Sequence, residues 1–182
     1  MKALVLIDIQ NFYFEKGSMT LSNPKEAVKC TKKLLEECRK KKIPIIHIKH
    51  NMAYLSGYRL SNKILNQIHE DVCPIEGEYV VEKQMPNSFL GTDLKKILDS
   101  EGIKQIIVTG MMSNICVAST VMAAKDLGYE VIVAEDACTT KDFCFGEEVI
   151  EGHIVHKVCM SSLKGIYASI ISTHEVIRHY LL

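Results

Sequence analysis

Three apolar runs in this sequence each end on, or next to, a side chain suited to thiol chemistry. Ala3–Ile7 runs into Asp8, Tyr79–Glu82 into Lys83, and Ile106–Thr109 into a turn, Gly110-Met-Met-Ser-Asn-Ile, that leads to Cys116. In an open α/β sheet the carboxyl ends of parallel strands meet at one crevice, where ligands bind. An acid, an ammonium and a thiol brought there are the parts of a nucleophilic hydrolase.

Cys116 is the sharpest of the three. It falls about one turn into a predicted helix, with Ser113 as the expected cap. Unpaired N–H groups and the positive end of the helix dipole lower a thiol's pKa in such a place, and the same N–H groups can hold an oxyanion. The competing reading is a small apolar residue packing a helix. Asp8 is equally readable as a proton carrier, as a turn cap, or as a metal or phosphate ligand. Lys83 can hold a carboxylate and a thiolate ionised by proximity, although a lysine taken singly is usually a solvated surface charge.

Histidine spacing does not suggest a metal. His47 and His50 lie three apart on a strand, which puts them on opposite faces. His69, His153 and His156 show no HExxH pattern. His47 reads as a core or supporting histidine and His50 as a pocket residue. GxGxxG, P-loop and GxSxG motifs are absent, so nucleotide-binding and serine-hydrolase readings lack their signatures.

The elements that must position these groups alternate along the chain. Strands are expected at Ala3–Ile7, Pro44–Ile48, Tyr79–Glu82, Gln105–Thr109, Glu130–Ala134 and Ala168–Ile171. Helices are expected from Asn23-Pro24 to about Lys41, over Asp93–Ser100 behind Thr92, over Asn114–Leu127, near Glu147–Leu163, and after the capping box Ser172-Thr-His-Glu175. The stretch from His50 to Pro74 reads as a loop with a short helix near Ile64–His69. Strands that are apolar at consecutive positions need cover on both faces. The expected fold is therefore a single α/β domain over residues 1–182: a doubly wound, mainly parallel six-stranded sheet with helices on both sides.

Composition narrows the function classes. The 182 residues are 47% hydrophobic and 24% charged, with 22 basic and 22 acidic residues balancing to +0. That balance argues against nucleic acid or an anionic membrane as partner. No apolar run approaches the length that spans a bilayer. Seven cysteines, an odd count with no CxxC pair, fit a reduced, cytoplasmic protein.

Four stretches together resemble the isochorismatase-like cysteine hydrolase superfamily over nearly the whole chain. They are Ala3-Leu-Val-Leu-Ile-Asp-Ile-Gln10, Glu82-Lys-Gln-Met-Pro-Asn-Ser-Phe-Leu-Gly-Thr-Asp-Leu94, Gly110-Met-Met-Ser-Asn-Ile-Cys-Val117 and Leu127-Gly-Tyr-Glu-Val-Ile-Val-Ala-Glu-Asp-Ala137. The resemblance implies a catalytic triad of Asp8, Lys83 and Cys116. It also implies a cis peptide between Met111 and Met112, and an oxyanion hole from the N–H groups of Met112 and Cys116. Gln10, Phe12, Phe14, His50, Tyr54, Asn87 and Phe89 are the expected substrate contacts. The implied reaction is hydrolysis of a small amide, lactam or ureido C–N bond through a thioester. The alternatives are ether or ester cleavage of the isochorismatase type, or a binding or redox-responsive protein on the same fold. Nicotinamidases of this superfamily hold a metal through an Asp-x-His pair, where this chain reads Ile48-Lys49-His50. No metal or cofactor is expected, the partner is a small-molecule substrate, and a homodimer or homotetramer is the implied assembly.

Overall fold

The computed structural model describes residues 1–15, 17–51 and 64–181. Six strands form one wholly parallel sheet: β1 (Lys2–Ile7), β2 (Ile45–His50), β3 (Tyr79–Lys83), β4 (Gln105–Met111), β5 (Glu130–Thr139) and a last strand at Ser169–Ile171. In space their order is β3-β2-β1-β4-β5 and then that last strand. The chain thus winds outward in one direction from β1 and in the other from β4, and the order reverses between these two adjacent strands. This is the expected doubly wound sheet, and the reversal point is where such sheets bind ligands.

The double burial is visible residue by residue in β1. Ala3, Val5 and Ile7 pack into one apolar cluster and Leu4 and Leu6 into another, on opposite faces of the sheet. The first cluster takes Leu94 and Leu98 of α2 (Leu94–Ser100), Val121 of α3 (Ala118–Asp126) and Met160 of α4 (Gly152–Leu163). The second takes Leu34 and Leu35 of α1 (Pro24–Lys40) and Val176 of α5 (Thr173–Tyr180). Both side-chain sets of a period-two strand are therefore core, which is why the run is uninterruptedly apolar.

The helix termini show which sequence signals operate. Ser172 Oγ accepts the Glu175 N–H while Glu175 reaches back to the Ser172 N–H, completing the capping box. Pro24 opens α1, but Asn23 has φ 48° and its side chain makes no cap hydrogen bond, so that expected cap is corrected. Thr92 accepts the Leu94 N–H at 3.3 Å and donates to the Ser88 carbonyl at 2.6 Å.

Two expected helices change. The helix placed near Glu147 starts at Gly152. Before it, β6 (Phe143–Phe145) and β7 (Glu148–Ile150) form an antiparallel ribbon, and the last sheet strand is therefore β8. Gly146 has φ 63° in a two-residue connection, the geometry a tight hairpin demands. The short helix near Ile64–His69 is replaced by turns followed by a 3₁₀ segment at Glu70–Val72. Among the described residues, no helix is long and apolar enough to cross a membrane. All seven cysteines are free.

Candidate active site

Asp8 follows β1 directly and is held by its own N–H, which donates to the Ile48 carbonyl at 3.0 Å. Its φ of 53° lies in the left-handed region, uncommon for a residue with a side chain but tolerated by aspartate. Both carboxylate oxygens are completely buried. Lys83 closes β3, is also buried, and places Nζ 2.9 Å from Asp8 Oδ2 and 2.7 Å from the Pro86 carbonyl. A lysine this deep is not a surface charge; the carboxylate is its counter-ion. The loop that supplies Pro86 is anchored by Ser88, whose N–H donates to Thr120 Oγ1 of α3 at 3.0 Å.

Cys116 comes to the same point from β4. That strand presses against β1 so closely that a Cβ on Gly110, with φ 140°, would lie 2.1 Å from the Ile7 carbonyl oxygen. The peptide between Met111 and Met112 is cis. A five-residue π-helical turn, Ser113–Val117, follows and feeds α3. The Met112 carbonyl accepts from the N–H groups of Ile115 and Val117, at 3.1 and 3.2 Å. Asn114 Oδ1 accepts the Thr140 hydroxyl at 2.6 Å, and the Cys159 thiol donates to the Ser113 carbonyl at 3.3 Å, so the turn is tied to the residue that follows β5 and to α4. Ser113 does not cap this turn as expected. Met112 takes the cap position, and the Ser113 hydroxyl is buried without a hydrogen-bond partner among the described residues.

The Asp8 carboxylate, His50 Nδ1 and Cys116 Sγ all lie within 4.8 Å of one another. His50 Nδ1 is 3.6 Å from Asp8 Oδ2 and 3.7 Å from Cys116 Sγ. A carboxylate, an imidazole and a thiol are a donor set that suits a divalent metal in general. Here the Lys83 ammonium already sits on the same carboxylate oxygen and takes the cation's place, so the cluster does not fit a second cation. Burial pushes the Cys116 thiol well above the usual value; the Asp8 charge adds to this, and the Lys83 charge opposes it. That direction runs against the expected helix-terminus effect, so forming the nucleophile calls for a base beside the sulfur.

A cavity of about 350 Å³ opens onto the sulfur. Cys116, His50 and Met112 form part of its wall, with Tyr13, Met19, Met85, Pro86 and Ile115 supplying apolar surface and Gln84 and Lys141 the remainder. Of the expected substrate contacts among the described residues, only His50 lines it. The Gln10 amide is fully engaged: it accepts the His50 N–H at 2.8 Å and donates to the carbonyls of His50 and Asn66. Phe12 is core. Phe14 packs against His69 with ring centroids 4.0 Å apart and lines a separate surface depression. Asn87 Oδ1 accepts the Phe89 N–H within its own loop, and Phe89 stacks on Tyr129. Tyr54 lies outside the described residues. Tyr13, Met19, Gln84, Met85, Pro86, Ile115 and Lys141 escaped the sequence reading. Gln84, Met85 and Pro86 follow Lys83 directly and Ile115 precedes Cys116, so proximity to the reactive residues was the available signal.

His47, the expected core histidine, is buried with Nε2 2.8 Å from Glu78 Oε2. Arg39 Nε holds the other oxygen of that carboxylate at 2.7 Å. Burial lowers the His47 pKa, with the Glu78 contact opposing. Burial acts to raise Glu78, but the Arg39, Ile75 N–H and His47 hydrogen bonds prevail and hold it at about 2.

The model of the isochorismatase domain matches residues 2–151. The isochorismatase family protein YddQ of Bacillus subtilis, itself uncharacterized, is 39% identical over 177 residues, covering 97% of this chain and 98% of its own. The crystal structure of an isochorismatase from Pseudomonas putida KT2440 superposes with a TM-score of 0.90 at 36% identity, covering 96% of this chain and 89% of that one. Nicotinamidase 3 of Arabidopsis thaliana is 26% identical over 167 residues, 85% of this chain and 79% of that protein. Fold, strand order and near full-length similarity agree: this chain belongs to the isochorismatase family of hydrolases.

Proposed function

We propose that this protein is a cysteine-dependent amidohydrolase acting on a small amide, lactam or ureido compound. The observation that carries the reading is a buried Lys83–Asp8 ion pair beside the Cys116 sulfur, at the wall of a cavity. A fully buried lysine and aspartate are costly to keep. Packing alone would be better served by apolar residues, so the pair is explained by the reacting sulfur next to it.

In this reading Cys116 Sγ attacks the amide carbonyl carbon as the thiol proton passes toward Asp8. The carbonyl electrons move to oxygen, which the N–H groups of Met112 and Cys116 receive. Collapse breaks the C–N bond, and the amine leaves with a proton returned from Asp8. Water then gives a proton to Asp8 and attacks the thioester, and the sulfur departs and is reprotonated. Lys83 keeps the cluster neutral while the proton moves. A cavity of about 350 Å³ is at the small end of ligand sites. Its lining is mostly apolar, with Lys141 the charged group away from the reacting cluster. A compact amide fits this, and an anionic group on it would draw in the Lys141 ammonium, which rests over the Phe143 ring at 4.4 Å.

The test is an ammonia- or amine-release screen across small amides, with Cys116→Ala as the blank. Turnover by the wild type, loss of at least about 10³-fold in the variant, and no effect of EDTA are expected, a magnitude typical of removing a covalent nucleophile. Amine release retained in Cys116→Ala would refute the thiol as nucleophile, and turnover of a vinyl ether or ester with none of any amide would assign the site to that chemistry instead. Turnover abolished by EDTA would refute the argument that Lys83 stands where a metal would.

A further inference from the structure

His50 is the one titratable group in the cluster that the reaction above leaves without a role, and its surroundings specify one. It closes β2, between the strands that deliver Asp8 and Lys83. Its backbone is gripped from both sides by Gln10, which accepts from its N–H at 2.8 Å and donates to its carbonyl at 3.1 Å. The same Gln10 amide donates to Asn66 O and Oδ1, each at 3.0 Å, and so is fixed in turn. On the ring, Nε2 faces the Gln84 carbonyl at 3.2 Å. A carbonyl only accepts, so this contact assigns the proton to Nε2 and leaves Nδ1 a lone pair. Nδ1 points at Cys116 Sγ, 3.7 Å away, with Asp8 Oδ2 at 3.6 Å.

The charged and titratable groups around this ring are Asp8 after β1, Lys83 from β3 and Cys116 from the π turn, with Tyr13 and Lys141 elsewhere on the cavity wall. Taking the thiol proton onto Asp8 would neutralise the carboxylate at 2.9 Å from a buried ammonium. Taking it onto His50 keeps that ion pair whole and creates a second one, imidazolium against thiolate. Transfer to Asp8 would exchange the carboxylate for the thiolate as the anion beside Lys83, so the two routes differ in which anion Lys83 holds, and the aim of Nδ1 at Sγ is what favours the imidazole.

We infer that His50 is a further catalytic residue: its Nδ1 is the first acceptor of the Cys116 proton, and Gln10 is the positioning residue that aims it. This deepens the amidohydrolase reading and rests on it, putting His50 before Asp8 as first acceptor and keeping Asp8 as the later proton carrier. The S–H bond breaks toward Nδ1 as the S–C bond forms and the carbonyl electrons move to oxygen. When the C–N bond breaks, the imidazolium proton reaches the departing amine directly or by way of Asp8, and His50 is neutral again.

The test is His50→Gln, which keeps a hydrogen-bonding side chain of similar reach but cannot carry a proton at neutral pH. Cys116 alkylation by iodoacetamide is followed on its own peptide by mass spectrometry from pH 6 to pH 10, with Cys116→Ala confirming the peptide. The expected result is a loss of at least tenfold in alkylation rate at pH 7 that closes toward wild type by pH 10, where hydroxide replaces the imidazole. For the best substrate of the screen, kcat should fall about 10²-fold or more, as for loss of a general base, with KM unchanged. An unchanged alkylation profile and kcat in a folded His50→Gln protein would overturn the inference. As a readout that needs no change at His50, ¹⁵N-histidine spectra of the wild type should show the Nε2–H tautomer, with an Nδ1 resonance that shifts in Cys116→Ala. An Nδ1–H tautomer, or no response to that substitution, would likewise overturn it. Failure of the cysteine reading looks different: Cys116→Ala would then remain active whatever His50 does.

Discussion

Removing one partner of the Asp8–Lys83 pair should damage the fold more than removing both. The two groups are fully buried, with Nζ 2.9 Å from Oδ2. At the effective dielectric near 20 that describes most such pairs, their attraction is about 6 kcal/mol, before the cost of removing each from water. Lys83→Met leaves a buried carboxylate without its counter-ion. Asp8→Asn leaves a buried ammonium facing neutral oxygens, the Pro86 carbonyl among them, with no counter-charge on residue 8. Each should lose about 3–5 kcal/mol. In a chain of this size that lowers Tm by roughly 10 °C, at about 2–4 °C per kcal/mol. The double variant has neither orphan charge, so its loss should be several kcal/mol smaller than the two single losses added. Urea unfolding of all four proteins by circular dichroism, analysed as a double-mutant cycle, gives the coupling. Single losses that add to within about 0.5 kcal/mol would show the two charges to be screened from one another, and the argument for a dry, preorganised cluster would fail.

Three further outcomes follow from the geometry. Gly110→Ala forces a methyl to 2.1 Å from the Ile7 carbonyl in a backbone conformation that alanine avoids; a loss of about 3 kcal/mol or more and displacement of Asp8 should appear as a lowered Tm together with lost activity. Stability should fall as pH drops, first through His47 and then through Glu78. Both have depressed pKa values in the fold, so the unfolded chain takes up each proton first: from about pH 6.5 for the histidine, and between about 4.5 and about 2 for the carboxyl, the latter worth roughly 3 kcal/mol. Glu78→Gln should flatten the lower part of that profile in a pH series of urea melts. Lys141→Met should raise KM for amides bearing a carboxylate and leave neutral amides unaffected, measured on matched substrate pairs.

The sheet and the three central residues were legible because each is written locally. Uninterrupted apolar strands such as Ala3–Ile7 announce burial on both faces, and Asp8, Lys83 and Cys116 stand at strand or turn ends that a parallel sheet must bring together. What surrounds them was not legible. The thiol's protonation depends on how deeply the sulfur is buried and on a carboxylate more than one hundred residues away in sequence, neither of which a helix-start pattern reports. Gln10 reads as a substrate contact through the family resemblance alone; that it grips the His50 backbone follows from the pairing of β1 with β2. Phe12 and Phe89 are likewise held by distant elements, the core and Tyr129, while Asn87 is held by its own loop. The ribbon at Phe143–Ile150 is a local departure: Gly146 turns the chain between β-forming residues, where the sequence pattern starts a helix near Glu147.

The left-handed turn at Asp8 also bears on how this protein can diversify. Aspartate, asparagine and glycine accept that conformation at little cost, whereas glutamate and branched side chains resist it. A lineage seeking a longer acid at this position would meet resistance from the main chain before any chemistry was tried. New specificities are therefore easier to reach by remodelling the cavity wall around Met85 and Ile115 than by altering the proton-carrying carboxylate.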